Sequence, residues 1–374
     1  MRAPAAVTGS LAPLVRTLLV VALSGLALTA CKSSGTGSVP VSVPAGGHAP
    51  GSAAANSGSA SGGAGCVNCV GAAFQAPPAQ GFRHTLMGFL ASAAAPQHSA
   101  QDVILPPGTQ AQLPGKFAYG LVSKDLEDED VRVYLYDCQA WRLVNQVTTN
   151  NDGRTTAPLD PASLGLGLGV YDLRQAVLGD ASVTPSQLRI FPAATKLVVF
   201  DIDGTLTTSD TELLHDAVND FFRPLFNRSF VPQAYDAAVD LTNAYAAKGY
   251  VLIYLTGRPY WLTRITREWL RDLGFAPGGL HVADSNSQVL PSKSSVGDYK
   301  KDYLNHLQSL GYEIVYAYGN ATTDIYAYRE AGIPLVQTFT IGSHAGEGGT
   351  NPIHGGYRTH LATVMALPPA NQPF

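Results

Sequence analysis

This sequence is short of charge, of cysteine and histidine metal patterns, and of apolar runs long enough to cross a membrane. Charged residues make up 14% of it, against roughly 25% in a typical soluble domain, and the formal net charge is only −4. No basic patch breaks that balance, which excludes nucleic acid as a partner. The histidines form no HExxH and no paired metal spacing, which excludes zincin-type hydrolysis. Among the four cysteines there is one CxxC, "CVNC" (Cys66, Cys69), and no second. Zinc normally takes four ligands, and the prolines in "VGAAFQAPPAQG" break any thioredoxin-like helix after the motif. A disulfide drawn from Cys66, Cys69 and Cys138 is the remaining reading. At 374 residues the chain has room for about two or three domains.

What the chain does have, at its start, is a targeting pattern. Arg2 and Arg16 accompany "TLLVVALSGLALTA", an apolar run too short to span a bilayer as a helix. It ends in "LTAC", which resembles a bacterial lipobox. Residues 1–30 therefore read as a lipoprotein signal peptide and Cys31 as the lipidated first residue. Lys32 after it points to the outer membrane, on its periplasmic side. The expected location is the cell envelope, with the membrane reached through a lipid anchor. Residues 31–100, rich in Gly, Ala and Ser, read as a flexible tether.

Two further patterns follow. Over 101–194, short Val-, Tyr- and Thr-rich segments such as "VRVYLYDC" and "GVYDLRQAVL" alternate with turn clusters, which predicts an antiparallel β-sandwich. Over 195–345, compact apolar runs ("KLVVF", "YVLIYL", "GLHVAD", "EIVYAY", "PLVQTFTI") are separated by helical patterns at about 212–225, 232–248, 260–273, 297–310 and 322–331. Strands alternating with helices predict an α/β domain with a parallel sheet covered on both faces. Residues 346–374 read as a tail: a Gly-rich loop, then a short helix in "GYRTHLATVMAL".

Ligands bind beyond the carboxyl ends of the strands in such sheets, and polar motifs sit there. "DIDGT" follows the first apolar run. Two adjacent carboxylates, Asp201 and Asp203, repel unless a cation joins them; Mg²⁺ takes oxygen ligands and keeps several waters. Thr256 and Gly257 of "YLTGRP" offer a hydroxyl and an amide to an anion. Lys300, near a helix start in "GDYKKDYL", offers a fixed cation, with Lys293 as the other candidate for that role. Asn320 and Asp324 of "YGNATTD" add oxygens after the fourth run. Arg258 stands beside them, either touching phosphate or held in a structural ion pair. Phosphoryl transfer needs such parts, because its catalysis is mainly positioning and charge neutralisation. In this reading Asp201 is the nucleophile and Asp203 the general acid/base. Thr256, Gly257 and Lys300 bind phosphate, and Asp201, Asp203, Asn320 and Asp324 hold Mg²⁺.

In order, these motifs resemble those of the haloacid dehalogenase superfamily of aspartate-nucleophile phosphatases. A narrower resemblance covers about 115–362. "KFAYG", "LEDEDVRVYL", "GVYDLRQAVLGD", "FPAATKLVVFDIDGTLT", "YLTGRPYWLTRITREWL" and "YGNATTDIYAYREAGIP" are similar to the lipin-type catalytic domain and to the C-terminal region of retinal-degeneration-B type phosphatidylinositol transfer proteins. "GYRTHLA" is similar to the latter. The resemblance implies a Rossmann-like phosphatase domain preceded by an immunoglobulin-like sandwich. It also implies a Mg²⁺-dependent phosphoric monoester hydrolase that releases diacylglycerol from phosphatidate through an aspartyl-phosphate. Two alternatives stand beside it: a periplasmic acid phosphatase or nucleotidase on soluble phosphomonoesters, and a non-catalytic module that binds phosphatidic acid, as implied by transfer proteins that lack the nucleophile. This chain keeps both aspartates, has Thr256 where lipins carry serine, and lacks their "KPE" stretch.

Overall fold

The computed structural model describes residues 67–93, 95–120, 123–208, 233–283 and 293–372. The first half is a β-sandwich. Strand Asp130–Tyr136 shows why: Val131, Val133 and Leu135 are fully buried, while Arg132, Tyr134 and Tyr136 are half-buried between them, the period of 2 that a one-faced strand requires. Its sheet runs Val103–Leu105, Val183–Ile190, Gly169–Val177, Asp130–Tyr136, Trp141–Thr148, with Val67–Cys69 also on Gly169–Val177. A smaller sheet of Ser99–Ala100, Ala111–Lys116 and Arg154–Leu159 accompanies it. Leu113 and Ala157 from the smaller sheet meet Leu135, Leu173 and Leu188 from the larger in one core.

Two expectations are corrected here. The sandwich is not purely antiparallel, because the short strands Val67–Cys69 and Val103–Leu105 pair in parallel. Nor are residues 67–100 tether. Val67–Cys69 is a strand, Cys69 is disulfide-bonded to Cys138, and helix α1 (Thr85–Ala93) seats Met87 against Phe117, Tyr119, Leu126 and Val131. Its sequence, "TLMGFLASA", is too apolar to stay in water when a core is at hand. Residues 1–66, including the leader, Cys31 and Cys66, lie outside the described residues.

The second half is a parallel sheet. Its strands are β1 (Lys196–Phe200), β2 (Val251–Pro259), β3 (Gly278–Ala283), β4 (Glu313–Gly319), β5 (Thr338–Ile341) and β6 (Asn351–Ile353). They lie in the order β3-β2-β1-β4-β5-β6, every pair parallel. Leu197, Val198, Val199 and Phe200 are all fully buried, so β1 has protein on both faces. Val198 and Phe200 belong to the core built with helices α2 (Ala238–Ala247), α3 (Thr263–Asp272) and α6 (Arg358–Ala366). Leu197 and Val199 belong to the core built with α4 (Lys293–Ser309) and α5 (Thr322–Glu330). The helix expected from 232 begins at 238, because Ala237 sits at φ +59°, outside the helical region. The helix expected at about 212–225 lies outside the described residues. The Gly-rich stretch contains β6, an edge strand that the glycines around it concealed.

The halves share a contact centred on buried Asp102, which precedes the strand Val103–Leu105. Its carboxylate accepts from Arg267 of α3 at 2.6 and 3.0 Å, from the Leu280 amide of β3 at 2.8 Å, and from the Gln187 amide at 2.7 Å. Ile104 and Phe191 of the sandwich side enter the same core as Leu197 and Val199.

Candidate active site

The site lies where β1, β2 and β4 end. The Asp201 amide still donates to the Tyr318 carbonyl at 2.9 Å, continuing the β1–β4 pairing. The chain then turns sharply: the amides of Thr205, Leu206 and Thr207 all point at the Ile202 carbonyl (3.2, 2.8 and 3.1 Å). Gly204 makes this turn at φ +73°, and a Cβ there would stand 2.0 Å from Asn320 Nδ2. Glycine is required on both counts.

The turn brings two hydrogen-bonded groups together. In the first, Lys300 Nζ lies 2.6 Å from Asp201 Oδ1 and 2.6 Å from Asp324 Oδ1. The Thr205 hydroxyl donates to Asp201 Oδ2 at 2.9 Å and stands 3.2 Å from Asn320 Oδ1. Asp324 Oδ2 accepts the amides of Asn320 and Ala321 at 3.0 Å each, closing the start of α5. At Gly319 a Cβ would fall 2.5 Å from that of Asp324, which accounts for the glycine before Asn320. All five side chains are buried. Burial, and then the Asp324 charge, push the Asp201 carboxyl up, with Lys300 opposing. Burial disfavours the Lys300 ammonium, but its two carboxylate partners together outweigh that and hold it above the ordinary lysine range.

In the second group, Arg258 grips Asp203. Nε lies 3.1 and 2.9 Å from Oδ1 and Oδ2, and Nη2 lies 2.7 Å from Oδ1. Thr256 Oγ1 donates to Asp203 Oδ2 at 3.2 Å. Arg258 is fixed in turn by Thr266 Oγ1 of α3 at 3.0 Å and by the Trp269 ring at 5.8 Å. Gly257 lies against α4, where an added Cβ would be 3.2 Å from Val296 Cγ1.

Of the residues singled out in the sequence, Asp201, Lys300, Asn320 and Asp324 therefore share one network, and Asp203 and Thr256 a second beside it. Lys300 is the lysine at Asp201; Lys293 opens α4 two turns earlier. Arg258 is in an ion pair with Asp203. Thr205, in the same motif as the two aspartates, joins Asp201 to Asn320, a link between residues 115 apart that local sequence does not signal. The described residues contain no cluster of three or more acidic, His or Cys side chains arranged to hold a metal. The carboxylates of Asp203 and Asp324 already serve Arg258 and Lys300. Asp201 and Asn320 nevertheless present oxygens to one hydroxyl, and the buried site holds one carboxylate more than its two cations. Mg²⁺ is bound through one or two carboxylates plus waters and substrate phosphate, so this donor set fits it.

Residues 96–190 match the family model described as the PITM 1-3 β-sandwich domain, and residues 198–342 the PITM 1-3 LNS2 domain. Protein retinal degeneration B of Drosophila melanogaster is 30% identical over 73% of this chain and 20% of its own length. Membrane-associated phosphatidylinositol transfer protein 3 of Mus musculus is 29% identical over 72% of this chain and 26% of its own. Protein 1 of that name in Homo sapiens is 30% identical over 66% and 18%. The chain thus spans about a fifth to a quarter of these relatives. Among solved structures, a β-glucosidase from Listeria innocua aligns over 26% of this chain and 16% of its own, at 14% identity and a TM-score of 0.18, too low to bear on the fold. The envelope location read from the leader does not stand: the relatives are animal proteins, two of the three named membrane-associated, and nothing among them points to a lipidated bacterial envelope protein. No helix among the described residues is long and apolar enough to cross a membrane. Through its β-sandwich and its LNS2 domain, this chain is linked to the retinal-degeneration-B-like proteins.

Proposed function

We propose that this chain is a Mg²⁺-dependent phosphatase of the haloacid dehalogenase type that hydrolyses phosphatidate at a membrane surface. The observation that carries the reading is Asp201: a buried carboxylate at the end of β1, with Lys300 on one oxygen and Thr205 on the other. Asp201 attacks phosphorus, the ester P–O bond breaks, and diacylglycerol leaves as its oxygen takes a proton from Asp203. Water, deprotonated by Asp203, then cleaves the aspartyl-phosphate and releases inorganic phosphate. Lys300 opposes the protonation that burial favours at Asp201 and has a third N–H for a phosphoryl oxygen. Thr256, whose hydroxyl meets Asp203, and Gly257 after it would hold the phosphate. Asp201, Asp203, Asn320 and Asp324 would hold Mg²⁺, Asp201 and Asn320 most directly, and the ion would neutralise phosphate oxygens and the surplus carboxylate. Phosphatidate is favoured as the substrate because the relatives are named as phosphatidylinositol transfer proteins.

One observation favours a second reading, phosphatidate binding without turnover. Asp203 accepts three contacts from Arg258 and one from Thr256, and it must leave Arg258 to deliver a proton. A single panel separates the readings. Full-length protein is given phosphatidate in mixed micelles, nucleoside monophosphates and a chromogenic ester, with Mg²⁺ or with chelator, beside Asp201→Asn. The proposal expects Mg²⁺-dependent phosphate release from the lipid, lost in the variant. Release from soluble esters alone would replace the lipid substrate with soluble phosphomonoesters. Tight binding without release, in both proteins, would establish the second reading.

A further inference from the structure

The matched LNS2 domain ends at residue 342, but the network around Asp201 does not. Tyr357, fully buried, donates its hydroxyl to the Thr205 carbonyl at 2.8 Å across 152 residues of sequence. Thr205 is the residue whose own hydroxyl holds Asp201 and meets Asn320. Tyr357 is itself held from several sides. Its amide donates to the Asp236 carbonyl at 2.8 Å. Arg358 next to it pairs with the Asp236 carboxylate at 2.7 and 2.5 Å. Gly356, at φ +120°, packs where a Cβ would lie 3.2 Å from Asp236. The ring meets Tyr235 and Tyr318 edge-on, at 6.3 and 6.1 Å between centroids. Behind it, His360 of α6 reaches the Tyr318 hydroxyl at 2.8 Å, and the Tyr318 carbonyl is the one that receives the Asp201 amide.

A loop whose amides converge on one carbonyl keeps its shape only if its other polar groups are matched, since a buried carbonyl without a donor is costly. Within the domain the Thr205 side chain is committed to Asp201 and Asn320. Tyr357, which donates to its carbonyl, comes from outside it. We propose that the segment from 351 to 366 is part of the phosphate site, and that Tyr357 is a positioning residue that fixes Thr205 and, through it, Asp201. This rests on the reading of Asp201 as the group that meets phosphate. Tyr357 touches no substrate in this account.

The test uses the full chain with Tyr357→Phe, which keeps the ring and removes the donor. Tyr245→Phe serves as the comparison: it removes a buried hydroxyl from the same core, one bonded to the Tyr318 hydroxyl at 2.6 Å, without touching the turn. Two readouts are taken. The first is amide hydrogen exchange of the peptide covering 201–207, which depends on no ligand. Tyr357→Phe should speed it about tenfold while Tyr245→Phe leaves it within about threefold, the change expected from one lost buried hydrogen bond. The second is phosphate release from phosphatidate in mixed micelles, or binding of phosphatidylcholine vesicles containing phosphatidate. There Tyr357→Phe should lower kcat, or affinity, about 10- to 100-fold, with KM moving less than kcat, as misplacement of a reacting group does. Unchanged exchange over 201–207, or equal changes in both variants, overturns the proposal. Faster exchange only in Tyr357→Phe, in a protein that neither cleaves nor binds phosphatidate, supports the positioning role and overturns the function assigned to the site.

Discussion

Lys300 is the side chain on which the site's charge balance turns. It stands buried between Asp201 and Asp324, 2.6 Å from an oxygen of each. Lys300→Met should therefore leave two buried carboxylates facing each other, and cost about 3–5 kcal/mol of unfolding free energy. Urea denaturation monitored by tryptophan fluorescence checks this, and a loss under about 1 kcal/mol would mean that the pair is solvated. Arg258 acts on Asp203 in a comparable way, yet its effect on catalysis should be separable. Arg258→Lys keeps the charge but loses the fork, so turnover should change by more than stability does. A second residue-scale effect lies in the sandwich. Burial holds the His98 imidazole down, to about 4, against a partial opposing pull from Asp180. In the unfolded chain it protonates near 6.5. Below that pH only the unfolded state takes the proton, so stability should fall by about 3 kcal/mol between pH 6.5 and about 4 and then level off. In a series of denaturation midpoints, His98→Asn should flatten that slope; an unchanged slope would place the proton uptake elsewhere.

At the scale of elements, the turn after β1 is the structure's tightest requirement. Gly204→Ala puts a methyl group into Asn320 and a side chain at positive φ, so it should abolish turnover while the sandwich stays folded by circular dichroism. Much of this element was legible in the sequence. The apolar run fixed β1, and "DIDGT" after it fixed the turn, because both follow from local chemistry. The grouping of Lys300, Asn320 and Asp324 with Asp201 was legible for a similar reason: each follows or opens an element on the strand–helix pattern. What the sequence concealed depends on distant contacts. The role of Thr205 needs Asn320, 115 residues away. Helix α1 and strand Val67–Cys69 read as tether because the stretch leading into them is Gly- and Ala-rich and the partners that bury them come later in the chain. Strand β6 lies between glycines, where no period of 2 can show. The Cys69–Cys138 bond ties that early strand to the sandwich across 69 residues. In the chain-entropy account its loss should cost on the order of 4 kcal/mol, read as a lower urea midpoint for Cys69→Ser.

At the scale of the whole molecule, sandwich and parallel sheet are joined by contacts that neither half could satisfy alone. Asp102 needs Arg267 and the Leu280 amide from the sheet side, and the Gln187 amide from the sandwich. The side chain of Gln101 both donates to and accepts from the backbone of Val282, at 2.7 and 3.2 Å, and Ser99 meets Thr263 at 2.7 Å. These contacts lie on β3 and at the start of α3, the helix that holds Arg258 through Thr266. The sandwich thus buttresses the side of the site that positions Asp203. Asp102→Ala should leave Arg267 and two amides, those of Leu280 and Gln187, unmatched and cost about 3–5 kcal/mol, and it should split one cooperative unfolding transition into two. Calorimetry that shows a single, unshifted transition would mean the halves fold independently of this contact.

The central claim is that Asp201 accepts a phosphoryl group from a lipid phosphate. Its most direct test is rapid acid quench of full-length protein with Mg²⁺ and phosphatidate labelled in its phosphate, followed by peptide mapping. The account predicts label on the peptide carrying Asp201, absent in Asp201→Asn and absent with chelator. Phosphatidate bound at saturation with no label transferred to that peptide would contradict it.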